Sequence, residues 1–231
     1  MVKRSALFLF IAVLLWIIPT SHIWLLWLDA TMFKTLNQSL AWGATWQKFW
    51  GIFNHPLENK LGFVGALMIH GLWWGITPRE HKRQLGYQLL FFWACFEIVH
   101  ALKDPFFEDL LGIKRHSPSM VFEDSLKLSE LLGDPNIKDT SHRSFPGGHA
   151  HFNIFWAILS WKIMPSPYRI FILFTAIFLC MPRLVSGAHW FTDVAFSAIM
   201  AFLVYGIIEW MYIKLQFRLQ QSKLRHGRNR P

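Results

Sequence analysis

The chain has 231 residues, of which 53% are hydrophobic and only 16% are charged. This balance leaves too few charged side chains to cover a water-facing surface, so it excludes an ordinary soluble domain and favours a protein embedded in lipid. The formal net charge of +9 would suit nucleic acid, but beside long apolar segments it indicates cytoplasmic ends that attract anionic lipid headgroups. We therefore predict no nucleic-acid partner.

Six apolar segments are long enough for transmembrane helices, which need roughly 17 to 25 residues. The first begins like a signal peptide, with Lys3 and Arg4 before an apolar core, but it lacks a small-x-small cleavage site. We predict that it is an uncleaved span. The fold class expected is therefore all-α, a single polytopic membrane domain over residues 1–231. The predicted spans are residues 5–24, 59–77, 85–102, 148–164, 169–186 and 191–213.

Lysine and arginine collect in the connections on one side of this six-span arrangement. By the preference of these residues for the inside, that side is predicted to be cytoplasmic, with residues 214–231 as a basic tail. The larger segments 25–58 and 103–147 then lie outside. The cations on the inner side are Lys3, Arg4, Arg79, Lys82, Arg83, Lys162, Arg169 and the six of the tail.

Ionisable side chains cluster at the predicted outer ends of the last four spans, where a functional site would explain their cost in lipid. His189 and Asp193 are four residues apart, which places both on one helical face. The carboxylate can then accept a hydrogen bond from Nδ1 of the imidazole and leave Nε2 free to attack. Arg183 can return over this site, through a segment loosened by Gly187, as a bidentate phosphate ligand. The alternative is a structural histidine capped by an aspartate.

A turn precedes the fourth predicted span, at Pro146 to Gly148. The backbone amides of Gly147 and Gly148, with the helix N-terminus, can cradle an oxyanion without obstruction by side chains. Ser144 can add a hydroxyl donor, and His149 at the helix start is placed to protonate a leaving oxygen. The alternative is an interfacial loop without a ligand.

Two further cations, Lys114 and Arg115, lie in the outer segment 103–147, against the general preference for positive charge inside. An anion site would explain them, and a solvated pair is the alternative. His149, His151 and His189 could instead hold a metal ion, although the neighbouring arginines would repel a dication. A transporter is the other rival, and it predicts charges near the midplane of the membrane rather than at span ends.

In order along the chain, these groups resemble the signature of the type 2 phosphatidic acid phosphatase family, which shares its site with the vanadium haloperoxidases. The third motif of that family is satisfied fully by Arg183, His189 and Asp193. The second is matched by the run 144–146 and by Gly148 and His149, while Gly147 stands where a serine is usual.

The first family motif, a lysine followed after six residues by Arg-Pro, is only partly present. Glu108 stands at the expected lysine position, and Pro118 is displaced by two residues from its place after Arg115. Lys114 is the nearest candidate for the lysine, and Lys103 is the distant one. Arg115 remains the expected arginine of this motif.

The resemblance implies a phosphotransfer enzyme whose core motifs lie within residues 103–193. It implies that His189 attacks phosphorus to give a phosphohistidine, that His149 acts as general acid and then base, and that Asp193 orients His189. It implies no metal and no cofactor. The phosphate would be bound by Lys114, Arg115, Ser144, Gly147, Gly148 and Arg183.

Within this family, residues 113–193 resemble the bacterial lipid A 1-diphosphate synthases, through the runs 129–132, 144–147 and 187–193. That branch implies undecaprenyl pyrophosphate as phosphate donor, lipid A as acceptor, and a bacterial inner-membrane enzyme whose site faces the periplasm. The alternative is a lipid phosphatase that hydrolyses undecaprenyl pyrophosphate or substrates such as phosphatidic acid and phosphatidylglycerophosphate. The insert 119–143 either orders an acceptor or lid or is a solvated loop.

Overall fold

The computed structural model describes residues 19–228, and within that range the chain forms helices and no β-strands. This confirms the predicted all-α class. A 3₁₀ turn, Ser39–Trp42, follows the first helix, and a π-helical segment, Pro105–Leu110, extends the fourth. The helices are α1 (Pro19–Gln38), α2 (Ala44–Asn54), α3 (Pro56–Ile76), α4 (Arg79–Asp104), α5 (Pro118–Val121), α6 (Leu128–Leu132), α7 (Gly148–Ile163), α8 (Ser166–Val185) and α9 (Phe191–Arg228).

Three stretches of described helix are long and apolar enough to cross a membrane: Arg79–Leu110, Ser166–Val185 and Phe191–Gln221. They contain or closely match the third, fifth and sixth predicted spans, and the chain is a multi-pass membrane protein. The second and fourth predicted spans form α3 and α7, which are helical, but α7 has only 16 residues. The first predicted span lies mostly outside the described residues, so the number six stays a prediction.

Prolines and a capping histidine set several of the helix boundaries. α3 has Pro56 at its first position, where a missing N–H costs nothing, and the His55 side chain accepts a hydrogen bond from the Leu57 amide at 3.2 Å. α4 follows Pro78, and α8 follows Pro165. Each proline disfavours a helical conformation in the residue before it, which separates consecutive helices.

The centre of the bundle is α7, which packs against α8 and α9, while α9 also packs against α4. Phe155 of α7 is fully buried and stacks on Phe96 of α4 with ring centroids 4.1 Å apart. Aromatic rings of Phe92 and Tyr205 complete the same core. This packing fixes the positions of α4, α7, α8 and α9 relative to one another along the bundle axis.

A second apolar cluster joins the two segments that were predicted to lie outside. Its buried members are Leu40, Trp50, Leu128, Ile137 and Val185. The insert 119–143 contributes two of these residues and forms the short helices α5 and α6. The insert is therefore anchored against α2 and the end of α8 rather than being a purely solvated loop.

The ends of four helices meet at one end of the bundle and bring the family motifs together. These ends are the C-termini of α4 and α8 and the N-termini of α7 and α9, and the N-terminus of α3 joins them. The opposite helix ends carry the cations Arg79, Lys82, Lys162 and Arg169. The bundle thus separates a site-bearing end from a basic end.

Candidate active site

A tight turn after α8 brings the backbone of His189 back to that of Arg183. The His189 amide donates to the Arg183 carbonyl at 3.1 Å, and Gly187 between them has φ +75°. A Cβ at Gly187 would stand 2.6 Å from Cε2 of Phe33 and 3.0 Å from Cβ of Ser119. The sequence predicted a loosened segment here, whereas the structure closes it by a packed turn that only glycine fits.

Replacement of Gly187 with alanine is expected to lower the free energy of unfolding by about 1 to 3 kcal/mol, because the methyl group strains the backbone and clashes with Phe33. Gly133 is the matched control, since its φ is +66° but a Cβ there would meet nothing within 4 Å. Thermal unfolding of both variants in detergent measures the difference. Equal destabilisation at both positions would show that packing around Gly187 contributes nothing.

The imidazole of His189 is held by a backbone carbonyl rather than by the predicted carboxylate. Its Nδ1 lies 2.6 Å from the Ser144 carbonyl oxygen and 3.9 Å from Oδ2 of Asp193. A carbonyl oxygen can only accept, so Nδ1 carries the proton and Nε2 keeps a lone pair in the neutral ring. The predicted tautomer is thus obtained with a different partner, while Asp193 remains close enough to attract an imidazolium.

Asp193 is fully buried and organises the start of α9. Its Oδ2 accepts from the Trp190 amide at 2.9 Å, as the third residue of a capped helix commonly does. Its Oδ1 accepts from Nη1 of Arg115 at 2.6 Å. Asp193 therefore ties the turn that carries His189 to the connection that carries Arg115.

A second buried carboxylate, Asp29 of α1, completes this network and was missed by the sequence reasoning. Its Oδ2 accepts from Nη2 of Arg115 at 2.6 Å, and its Oδ1 accepts from the Thr192 amide at 2.8 Å. A carboxylate within an apolar helical segment is the signal that could have found it. Because Arg115 bridges Asp29 and Asp193, its guanidinium is committed to carboxylates and does not line the cavity described below.

Ser144 and Lys114 do not take the positions expected of phosphate ligands. Ser144 is fully buried, and both its amide and its hydroxyl donate to the Arg115 carbonyl, at 2.8 and 3.1 Å. Lys114 is exposed and lies outside the cavity wall. The predicted hydroxyl donor is thus replaced by a structural serine that fixes the backbone around Arg115 and orients His189.

A cavity of about 520 Å³ opens beside His189 and collects the remaining predicted groups. Gly148, His149, Arg183 and His189 all line it. Residues of α3, α4 and the insert, with further residues of α7, complete its wall, chiefly Glu58, Phe63, Glu97, His100, Lys138 and Asn153. The second and third motifs therefore meet at a space large enough for a phosphate group and part of its carrier.

Arg183 is buried, and Asn54 at the end of α2 positions it. Nη1 of Arg183 lies 3.3 Å from both the carbonyl oxygen and Oδ1 of Asn54. Nδ2 of the Asn54 side chain also donates to the Pro182 carbonyl at 3.0 Å, and the Ser186 hydroxyl donates to its Oδ1 at 3.1 Å. Asn54 thus fixes the end of α8 from a distant segment, and no motif in the sequence marks it.

Lys138 is a cation of the cavity wall that the sequence reasoning overlooked. Its backbone amide donates to the Asn54 carbonyl at 3.0 Å, and its own carbonyl shares the Ser186 hydroxyl proton with Oδ1 of Asn54, each at 3.1 Å. Burial and the positive charge of Arg183 lower the pKa of Lys138. Its place in the outer segment, against the usual charge preference, is the signal that could have found it.

Lys103, the distant candidate of the first motif, also approaches the site. Its side chain is 6% exposed and pairs with Asp104. A Cβ at Gly148 would stand 3.2 Å from its Nζ. Of the two lysines that the first motif left open, Lys103 is thus the one beside a cavity-lining glycine.

The two glycines at the start of α7 have different surroundings. Gly148 lines the cavity, where the first amides of the helix have no intrahelical partners and favour an anion. Gly147 precedes the helix and faces α9, since a Cβ there would lie 3.5 Å from Oγ of Ser197 and 3.6 Å from the Asp193 carbonyl oxygen. The structure therefore places only Gly148 at the predicted oxyanion cradle.

His149 has a partner that was not predicted, the carboxyl group of Glu58 in α3. Nε2 of His149 lies 3.3 Å from Oε2 of Glu58, and both side chains are nearly buried. The ring also hydrogen-bonds the backbone of Leu179. The imidazole is consequently held between α3 and α8 with one edge toward the cavity.

The three imidazoles that could have formed a metal site are not gathered in one place. His151 is buried against α4, where it stacks with His100 at a centroid distance of 5.6 Å. Across residues 19–228, no group of three histidine, cysteine or acidic side chains has the arrangement of a metal site. The cavity instead combines the imidazoles of His100, His149 and His189 with the cations Lys138 and Arg183.

Comparisons with known proteins agree with this architecture. Residues 105–217 match the family model described as PAP2 superfamily. The lipid A 1-diphosphate synthase of Escherichia coli strain K12 is 26% identical over 189 residues, which cover 82% of this chain and 78% of that protein. A transmembrane PAP2 type phosphatidylglycerolphosphate phosphatase from Bacillus subtilis has a similar fold, with a TM-score of 0.54, 14% identity, and coverage of 92% of this chain and 96% of that one. The chain therefore belongs to the PAP2 superfamily and is a membrane enzyme of the type 2 phosphatidic acid phosphatase family.

Proposed function

We propose that this enzyme takes phosphate from a lipid-linked pyrophosphate, undecaprenyl pyrophosphate, through a phosphohistidine at His189, and passes it to lipid A. The observation that carries the proposal is the cavity in which His189 meets Arg183 and His149, with Nε2 of His189 left as the nucleophilic atom. Similarity to a lipid A 1-diphosphate synthase over 82% of the chain supports the choice of donor and acceptor.

In the proposed reaction, Nε2 of His189 attacks phosphorus in line with the departing oxygen. Phosphoryl transfer needs mainly positioning and neutralisation of charge. Arg183, Lys138 and the amides at the start of α7 line the cavity or its edge and would supply this positive environment. None of Arg115, Ser144 and Asp193 lines the cavity. These residues instead hold the His189 imidazole and the turn that carries it.

Protonation completes each half of the proposed reaction. His149 lies on the cavity wall, so it can protonate the departing lipid oxygen in the first step and deprotonate the incoming hydroxyl in the second. Water as the incoming group would give hydrolysis, and a lipid A phosphate oxygen would give a diphosphate. The same residues serve both outcomes, and the acceptor decides between them.

We also propose that the enzyme resides in a bacterial inner membrane with this site on the periplasmic side. The site-bearing helix ends and the basic helix ends lie at opposite ends of the bundle. Positive residues favour the cytoplasmic side in short connections, which supports an outward-facing cavity. A substrate with its phosphates at the membrane surface can reach such a site without leaving the lipid.

The proposed function is tested by incubating the purified protein in detergent with labelled undecaprenyl pyrophosphate, with and without lipid A. We expect label to appear as lipid A diphosphate when the acceptor is present. Label that appears only as inorganic phosphate in both reactions would contradict transfer and support the phosphatase alternative. Absence of any turnover with this donor would contradict the proposed substrate.

Replacement of Lys138 with methionine is expected to lower kcat/KM about tenfold or more, because a charge-assisted contact with phosphate is lost while the aliphatic stem is kept. Lys114→Met is the matched comparison, since Lys114 is likewise an exposed lysine of the outer segment but lies away from the cavity wall. Steady-state kinetics on the lipid pyrophosphate distinguishes them. A larger defect in Lys114→Met would show that the lysine nearest the first motif binds phosphate after all.

A further inference from the structure

His149 of the second motif forms a close, nearly buried pair with Glu58, which belongs to no family motif. Oε2 of Glu58 lies 3.3 Å from Nε2 of His149, and the side chains are 12% and 11% exposed. Among the described residues, neither of these two atoms has a partner that meets hydrogen-bond geometry. An ionised carboxylate facing an imidazole lone pair would repel it, whereas a single proton between the two atoms would join them.

We propose that Glu58 is a proton-holding residue of this active site, which keeps one proton between its carboxyl group and Nε2 of His149. The inference rests on the proposed function and deepens it. His149 is then not a lone general acid, because the proton that reaches the departing oxygen belongs to the Glu58–His149 pair. Glu58 acts through His149 and also positions its ring.

Charged and titratable groups reach this pair from every neighbouring element. Burial raises the pKa of Glu58, which lies in the first turn of α3 before the predicted span, from 4.5 to about 7, while the Arg183 charge opposes the increase. The pair can thus hold or release its proton near neutral pH. Cys180 of α8 interacts electrostatically with Glu58 and His189 with His149, while His100 and Glu97 of α4 and Lys138 line the same cavity.

The proton balance of the two steps is closed by this pair. In the first step the His189 Nε2–phosphorus bond forms, the phosphorus–oxygen bond to the lipid breaks, and the departing oxygen takes the shared proton. In the second step the oxygen of water or of the acceptor bonds to phosphorus, the nitrogen–phosphorus bond breaks, and the proton of that oxygen returns to the pair. No other reactant is needed.

The test compares substrates that differ in how much they need an acid. Glu58→Gln keeps the shape of the side chain but has no proton to give, so kcat/KM on a long-chain alkyl phosphate, whose departing alkoxide needs a proton, should fall about a hundredfold. On 4-nitrophenyl phosphate, whose departing oxygen leaves without protonation, the fall should be small. Glu58→Asp should recover part of the loss, and Glu80→Gln, an exposed change at the other end of the bundle, is the control.

The pH dependence of kcat/KM provides a second test with the same variants. Because the pair must hold its proton in the first step, wild-type kcat/KM on the alkyl phosphate should decline above about pH 7, and this decline should be absent in Glu58→Gln. Thermal unfolding in detergent shows whether each variant is folded. If Glu58→Gln is not folded, the comparison between Glu58→Asp and the wild type on the two phosphates tests the same point.

Three results would overturn the inference. Equal losses on the alkyl and aryl phosphates would show a structural role only, and full activity of Glu58→Gln on both would show no role. If kcat/KM of Glu58→Gln still declined above about pH 7 as in the wild type, the group that titrates there would not be Glu58. A wild-type protein that turns over no lipid phosphate at all would instead remove the proposed function, and this outcome is recognised before any Glu58 variant is made.

Discussion

Replacement of His189 with alanine is expected to reduce turnover of the lipid pyrophosphate at least about a thousandfold, because the atom that bonds to phosphorus is removed. The fold should survive, since the turn is held by the His189 amide and by Gly187 rather than by the imidazole alone. Acid-quenched gels with labelled substrate should show label bound to the wild-type protein and none bound to the variant.

His142→Ala is the control for this experiment, because His142 is an exposed imidazole in the connection before α7. It should keep wild-type turnover and labelling. A His189→Ala protein that still forms a labelled adduct, or that turns over substrate as fast as the wild type, would show that the nucleophile lies elsewhere. The cavity would then have to be reinterpreted around His149.

Replacement of Arg183 with alanine is expected to lower kcat/KM by about a hundredfold to a thousandfold. Arg183 is 3% exposed and lines the cavity directly beside the turn that carries His189. Lysine at this position should recover only part of the loss, because it keeps the charge but lacks the planar fork that binds two phosphate oxygens together. Steady-state kinetics on the three proteins measures the series.

Arg143→Ala is the matched control, since Arg143 is an exposed arginine in the connection before α7 that pairs with Glu108. It should leave kcat/KM within a small factor of the wild type. Thermal unfolding separates chemistry from folding, because Arg183 also contacts Asn54. Full recovery of kcat/KM by lysine would contradict bidentate binding and reduce Arg183 to a point charge.

The ion network behind His189 explains why Arg115, a predicted phosphate ligand, is not on the cavity wall. Arg115 lies between the buried carboxylates of Asp29 and Asp193, with 2.6 Å contacts to each. Buried charges are stable only when they are paired and hydrogen-bonded, and removing one partner typically costs about 3 to 5 kcal/mol. The first motif therefore supports the geometry of the third motif here.

The insert between the first and second motifs both packs against the helices and carries a cation of the cavity wall. Ser119 and Ile137 anchor it against the turn at Gly187 and the cluster around Trp50. The anchored insert then presents Lys138 to the cavity. Because it is packed on both sides, its backbone can hold a cation at a fixed distance from Arg183, which a solvated loop could not do.

The local parts of this protein were determined by the sequence alone. The all-helical class followed from apolar segments of spanning length. The four-residue spacing placed His189 near Asp193, with 3.9 Å between Nδ1 and Oδ2, but Nδ1 hydrogen-bonds the Ser144 carbonyl instead. The turn into α7 followed from Pro146 and the two glycines. Each of these depends only on neighbours in the chain, so no knowledge of packing was required.

Only the tertiary structure decided which distant side chains complete the site. Asp29, Asn54, Glu58 and Lys138 come from segments without a motif, and they meet His189 because helix packing brings their ends together. The same packing turned Arg115 and the Ser144 hydroxyl away from the cavity. The physical reason is that a buried polar group takes whichever partner the fold places within about 3 Å, and sequence spacing carries no information on contacts between distant segments.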